Sequence, residues 1–326
     1  MVYARDLTPV LPLPTPQTLS LQPCSMLRSV ERIRRALTLA VLLASGPAGA
    51  QPLAERYAGL GTMIVTTSPF TMFPHEKRAK GDTYQGKSYP ADLHYSDSTV
   101  AIFVPKGFRA SNATNLVFYF HGWWNNVDDT LAKFRVAEQL EASGVNAVLV
   151  LAEGAKNAPD SFGGKLEESG VFSSLVSDVL ATLKARGVIE KTRPGSIVLA
   201  GHSGAYRVMA FILTRGGLTG NIREVYLFDA LYGQSEKFAH WIDRFPGKLI
   251  DIHTAEGGTR DQSMDLMDDL RAWNIPFLAV PESAVTQDFL RKNRLVFIES
   301  ALSHDDVVAG REQFRAFLTA SDLPRR

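Results

Sequence analysis

Ser203 stands in Gly201-His202-Ser203-Gly204-Ala205, directly after the apolar run Ser196 to Gly201 and directly before the apolar run Tyr206 to Thr214. This is the pattern G-x-S-x-G with Ala in the last place. Five residues alone are weak evidence, but a strand before them and a helix after them give the pattern mechanical sense. A serine held on a sharp strand-to-helix turn projects its hydroxyl as a nucleophile, and small neighbours leave room where strand and helix cross. Ala205 adds one methyl, which the turn should accept. The Gly204 N–H falls at the start of the helix, where unpaired amides and the helix dipole favour an oxyanion. The competing account is a Gly-Ser turn that only ends a strand.

A serine nucleophile needs a base, and His304 is the candidate by position among seven histidines. It follows the apolar run Arg294 to Glu299, in a loop ahead of a helix expected over Val307 to Leu318. The Ser, acid, His chain order of this motif class puts the histidine last, and an imidazole titrating near neutrality suits general base work. A carboxylate must then accept from its Nδ1. Asp229 is the first candidate: it ends the run Glu224 to Asp229, where burial without a partner would be costly. Glu256 is the alternative acid and Asp261 a third candidate, both in the loop after Lys248 to His253, where Gly257-Gly258 gives freedom to position either.

The run Asn115 to His121 continues as Gly122-Trp123-Trp124, and the glycine lets the Trp123 N–H turn toward the same oxyanion. Trp124 and Tyr232 lie in loops at the same end and are candidates for substrate binding, with core packing as the competing explanation. The segment Glu153 to Glu168, with Asp160, Ser161 and Lys165, either lines the pocket or caps the helix after it. His75, Glu76, Asp82, Asp92 and His94 match no metal-ligand spacing. No metal site is expected among them.

These residues need a frame. Seven short apolar runs recur: Thr99 to Pro105, Asn115 to His121, Asn146 to Leu151, Ser196 to Gly201, Glu224 to Asp229, Lys248 to His253 and Arg294 to Glu299. Runs apolar on both faces predict a mostly parallel sheet. Between them, Phe172, Leu175, Val176, Val179, Leu180 and Leu183 keep helical spacing, and so does Ser263 to Trp273. Strands alternating with helices predict an α/β fold with helices on both faces of the sheet. Ligands in such sheets sit at the carboxyl ends of the strands, which is where the candidate residues fall. Pro69 to Asp97 breaks the pattern and is read as an extended arm over the sheet edge or the rim of the site.

GHSGA, HGWW and SHDD together resemble the α/β-hydrolase superfamily, in particular its lipase- and esterase-like members, over about residues 95–320. The resemblance implies the α/β-hydrolase fold and acyl transfer. In it, His304 deprotonates Ser203, the Trp123 and Gly204 amides hold the oxyanion, and no cofactor or metal is required. In that superfamily the acid most often follows the second strand after the elbow strand, which favours Glu256. A lipase-like subgroup carries it one strand earlier, as Phe228-Asp229-Ala230 does, so the acid stays open. PHEKRAKGDTYQGKSYPADLHYSDS and DSFGGKLEES resemble segments of uncharacterised exported bacterial members. An exported serine hydrolase acting on small or polymeric carboxylic esters is the expected function. A serine peptidase or amidase on the same residues is the alternative, and a non-catalytic binding protein of the same fold is a third reading.

Composition agrees with an ordinary globular protein: of 326 residues, 45% are hydrophobic and 21% charged. Lys plus Arg number 35 against 34 acids, scattered without single-sign blocks, which gives no reason to expect a nucleic-acid partner. The lone cysteine, Cys24, excludes an intrachain disulfide and a multi-cysteine metal site. From Met26 the chain reads as basic MLRSVERIRR, apolar Ala36 to Ala44, then Ala48-Gly49-Ala50 before Gln51, which is the layout of a cleaved export signal. Nine apolar residues fall short of the about 20 that span a bilayer, so no stable membrane anchor is expected after cleavage. Residues 1–25 precede this start and hold five of the 17 prolines, which marks Met26 as the candidate initiator. The expected organisation is an extension and signal over 1–50 and one α/β-hydrolase domain over 51–326, periplasmic or extracellular.

Overall fold

β-Branched and aromatic runs form the centre of the molecule in a computed structural model, which describes residues 52–326. The strands in chain order are β1 (Gly61–Thr67), β2 (Asp82–Tyr84), β3 (Lys87–Tyr89), β4 (Thr99–Pro105), β5 (Thr114–Phe120) and β6 (Val148–Ala152). They continue with β7 (Pro194–His202), β8 (Ile222–Phe228), β9 (Lys248–Thr254), β10 (Leu278–Pro281) and β11 (Leu295–Ser300). The helices are α1 (Leu53–Arg56), α2 (Ala91–His94), α3 (Val127–Phe134), α4 (Val136–Ser143) and α5 (Val171–Ala185). After them come α6 (Tyr206–Arg215), α7 (Ser235–Arg244), α8 (Arg260–Ala272), α9 (Gln287–Lys292) and α10 (Gln313–Thr319).

Nine strands form one sheet in the order β1-β4-β6-β5-β7-β8-β9-β11-β10. β4 is antiparallel to both β1 and β6, and every neighbouring pair from β6 to β10 is parallel. Alternation along each strand feeds two cores. In β5, Leu116, Phe118 and Phe120 face α5, α6, α7 and α8, whereas Val117 and Tyr119 face α3, α4 and α10. The carboxyl ends of β5, β7, β8 and β9 therefore open side by side, and the loops after them build the site.

All seven expected strands are present. β1 and β10 were not expected: β1 is a half-buried border strand rich in Thr, and β10 is an edge strand with its side chains mostly exposed, so neither carries the continuous apolar signal of a central strand. The helix expected over Val307 to Leu318 begins only at Gln313. Val307 and Val308 are buried, but they lie in turns, and Glu312 at φ 55° cannot continue a helix. Pro69 to Asp97 is not simply extended. It carries the hairpin β2–β3, turned by Gln85 and Gly86, both at positive φ as a two-residue type I′ turn requires.

The expectations on residues 1–50 lie outside the described residues. Among those described, no helix is long and apolar enough to cross a membrane.

Candidate active site

β7 ends at His202, Ser203 follows at φ 56°, and a short turn through Ala205 leads into α6. A non-glycine residue in the left-handed region stores about 1–3 kcal/mol of strain. The surrounding packing holds it there. A β-carbon at Gly201 would fall 2.6 Å from Met209 Sδ and 2.7 Å from Ala205 Cβ, so the position two before the serine admits only glycine. The Ala205 methyl is buried in the space that glycine leaves.

The loop after β5 runs hard against this turn. A β-carbon at Gly122 would lie 2.6 Å from Ser203 Cβ and 2.9 Å from the Gly204 nitrogen. The absence of that atom lets the two backbones meet, and the next amide, Trp123 N–H, has no acceptor among the described residues. Trp124, at φ 59°, turns the chain away and donates its N–H to Ala158 O at 3.1 Å. The Trp123 ring covers Gly204: a β-carbon there would fall 2.7 Å from Trp123 Cδ1.

Beneath this loop lies an ion pair that sequence reasoning missed. His121 Nδ1 donates to Gly122 O at 2.9 Å and its Nε2 lies 2.8 Å from Glu153 Oε1, with Gly154 N–H 3.2 Å from both Nε2 and Oε1. Glu153 Oε2 accepts from Val127 N at 3.1 Å. Burial opposes the charged imidazole, but the Glu153 hydrogen bond and charge outweigh it and hold the His121 pKa above its ordinary value. His121 opens the HGWW segment, which was read for the Trp123 amide and gave no role to the imidazole.

On the other side of Ser203, Asp229 follows β8 at φ 45° and is fully buried. Its Oδ2 accepts from His304 Nδ1 at 2.7 Å and from Thr254 Oγ1 at 2.7 Å, and its Oδ1 from Thr254 N at 3.2 Å and from the Thr259 hydroxyl. Burial raises its pKa, but these donors, His304 first, bring it below the usual carboxylate value. Glu256 does not share this role. Its side chain is exposed, and its loop instead delivers Gly257, where a β-carbon would fall 1.5 Å from Asp229 Oδ2. Asp261 is likewise exposed at the start of α8.

With Nδ1 engaged, His304 presents Nε2 to the cavity. Its backbone is held by His202, whose Nε2 donates to His304 O at 2.7 Å with the two rings 4.5 Å apart. Burial, then the charge of His304, push the His202 pKa down to about 4, so His202 is a neutral donor at pH 7. Among the described residues no hydrogen bond joins Ser203 to His304, a contact that commonly tightens only when substrate binds. Beside Ser203, the Tyr232 phenol donates to Gly257 O. Burial and the charge of Asp229 lift its pKa to about 12, against the pull of the Ser203 hydroxyl.

These groups open onto one cavity of about 550 Å³. Trp123, Trp124, Tyr206 and Tyr232 wall it, Ser203, Gly204 and His304 form its floor, and Ser161 and the Lys133–Asp305 pair complete its edge. Trp124 and Tyr232 thus both line the cavity. The arm reaches the same rim: Tyr84 meets Trp123 edge-on at 5.2 Å, and Tyr89 packs 5.5 Å from Trp124. Asp160 is turned to Arg78 and Lys165 to Pro69 O, so of that segment it is Ser161 that faces the cavity. Three of the five candidate residues of the arm have separate partners, His75 with Glu168, Asp82 with Arg78 and His94 with Lys156 O.

No protein-family model matches the chain, and no curated protein matches it. Solved structures do. A mutant of the feruloyl esterase module from Clostridium thermocellum, complexed with sinapinate, is similar with TM-score 0.52 at 11% identity, covering 82% of this chain and 90% of that one. A fluorophosphonate-binding serine hydrolase of Staphylococcus aureus gives TM-score 0.46 at 12% identity, covering 81% and 100%. An S-formylglutathione hydrolase from Agrobacterium tumefaciens gives 0.43 at 11%, covering 78% and 95%. With the strand order and the serine on its strand-to-helix turn already described, the first of these likenesses places the chain in the α/β-hydrolase fold.

Proposed function

We propose that this protein is an exported serine hydrolase that cleaves carboxylic esters, with Ser203 as nucleophile, His304 as base and Asp229 as the acid. One observation carries the reading: Ser203, on a left-handed turn, shares a cavity with an imidazole whose Nδ1 is bound to a buried carboxylate. That bond fixes the tautomer that leaves Nε2 free to take a proton.

His304 Nε2 accepts the Ser203 proton as Oγ attacks the ester carbonyl carbon. The C=O electron pair moves onto the oxygen, where the Trp123 and Gly204 amides meet it. Collapse breaks the bond to the alcohol, which leaves with the proton returned by His304. Water then attacks the acyl-enzyme through the same base, releasing the carboxylic acid and free Ser203. Among the described residues no Ala, Val, Leu, Ile or Met lines the cavity, whereas Trp123, Trp124, Tyr206 and Tyr232 do. These walls favour short or planar acyl groups over a long alkyl chain, which would need a continuous apolar channel. Export rests on the signal-like layout of residues 26–50.

The test is intact mass after exposure to a fluorophosphonate, with Ser203→Ala alongside, followed by matched ester and amide panels. A single adduct absent from the variant, with ester turnover, supports the reading. An adduct with amide turnover alone makes it an amidase, and no adduct on the folded protein makes it a binding protein. A mature N-terminus at Gln51 in the exported fraction supports the signal; an intact leader on protein retained in the cell counts against it.

A further inference from the structure

We propose that Ser161 is a third donor to the substrate's carbonyl oxygen, a side-chain hydroxyl added to the two backbone amides; the inference rests on the serine-hydrolase reading above. Ser161 Oγ lies against the elbow itself, since a β-carbon at Gly204 would fall 2.7 Å from it. It lines the cavity with Ser203. The residue whose amide is placed for the oxyanion is therefore the one Ser161 touches.

The direction of its hydrogen bonds is settled by its neighbour. Trp123 Nε1, which can only donate, gives its proton to Ser161 Oγ at 2.7 Å. The Ser161 oxygen is thus an acceptor toward the indole, and its own hydrogen has no acceptor among the described residues. A hydroxyl that already accepts a hydrogen bond is polarised and donates more strongly. Negative charge developing beside Gly204 N–H is the partner that geometry supplies.

Such a donor works only if it is held in place before reaction. Ser161 is flanked by two anchors. Asp160 accepts from Arg78 Nε at 2.7 Å and from Phe162 N at 2.8 Å. The buried Phe162 ring has Lys77, Arg78 and Arg207 within 5.2–5.6 Å of its centroid. The same loop is tied to the Trp123 loop by Asn157 N to Asn125 O at 2.8 Å and by Trp124 N to Ala158 O. The hydroxyl is thereby fixed against the floor of the site by contacts outside it.

Loss of one donor to an oxyanion typically costs about a hundredfold in turnover. The full chain is assayed on a soluble ester as wild type, Ser203→Ala, Ser161→Ala, Ser161→Thr, Trp123→Phe and the Ser161→Ala/Trp123→Phe pair, with melting curves for each. Expected is a fall of about a hundredfold in kcat for Ser161→Ala with KM within about threefold, and recovery of most of the loss in Ser161→Thr. Trp123→Phe removes the indole tether and keeps the backbone amide. If Ser161 serves only as that tether, removing it from the Trp123→Phe protein changes nothing further; as a donor it still lowers kcat at least tenfold, in line with the size of such contributions. Wild-type kcat retained in Ser161→Ala, or no added loss in the pair, overturns the inference and leaves the esterase reading standing. Absence of Ser203-dependent turnover in the wild type overturns both.

Discussion

Two histidine–carboxylate pairs flank Ser203, alike in bond length and opposite in design. His304–Asp229 measures 2.7 Å and His121–Glu153 2.8 Å. The His304 side chain is 30% exposed and keeps Nε2 free toward the cavity, whereas His121 is 4% exposed and has both nitrogens engaged by protein groups. The first pair can pass a proton and take it back. The second has no vacant position for one and can only hold a loop. What separates a base from a brace is the number of ring nitrogens left unengaged, a property of the surroundings rather than of the bond.

The largest effect tests that division directly. Asp229→Asn should lower kcat/KM by about four orders of magnitude, because the amide no longer selects the tautomer that frees Nε2. Glu256→Gln, on an exposed side chain in the neighbouring loop, should stay within about twofold, as surface substitutions do. Steady-state kinetics on both variants decide it. Equal losses would return the choice of acid to the position where sequence left it.

The brace should respond in stability instead. Glu153→Gln removes the carboxylate and leaves His121 without its counter-charge, a change that costs about 3–5 kcal/mol for a buried pair. Urea denaturation should report that loss, while kcat per folded molecule falls far less than in Asp229→Asn. An activity loss as deep as that of Asp229→Asn in a protein of unchanged stability would erase the distinction between the pairs.

The legibility of these features in sequence follows the distance over which each is made. The elbow is a single run of residues from strand to helix, so its pattern could be read directly. Asp229 and His304 are 75 positions apart, and chain order with their places at strand ends named them, with Glu256 left as an alternative. Gly257 separated the two acids only in three dimensions, where its missing β-carbon proved to be the seat of Asp229. His202 and His304 join across 102 positions and His121 and Glu153 across 32, with no periodicity to announce either contact. The arm was seen as an anomaly and not as a wall, because its Gln85-Gly86 turn connects strands of three residues, too short to show alternation.

A third histidine sharpens the comparison by running the opposite titration. His202 is buried and neutral, with a pKa depressed to about 4 from 6.5. A histidine depressed on folding stabilises the protein above its unfolded pKa, and that stability is lost as pH falls toward the folded value. Over this window the loss is about 3 kcal/mol. His121, raised on folding, behaves inversely: its contribution is full below 6.5 and disappears as pH rises through its folded value. His202→Gln should therefore flatten the acid side of the stability profile between pH 6.5 and 4 relative to wild type. Parallel profiles over that range would mean that His202 is not the buried neutral group described.

The smallest effect lies at the rim, where the arm rather than either pair is at work. Tyr84 meets Trp123 edge-on at 5.2 Å and Trp124 at 6.5 Å, and such aromatic contacts contribute about 0.5–1.5 kcal/mol each. Tyr84→Ala frees the Trp side chains that wall the cavity but leaves the Trp123 amide on its loop, which Gly122 and the His121–Glu153 pair hold from below. The expected result is a rise of about three- to tenfold in KM for an aromatic ester, by conversion of that contact energy, with kcat nearly unchanged. A fall in kcat instead would show that the arm reaches the oxyanion donors, and the brace beneath them would then be shared between the buried pair and the hairpin.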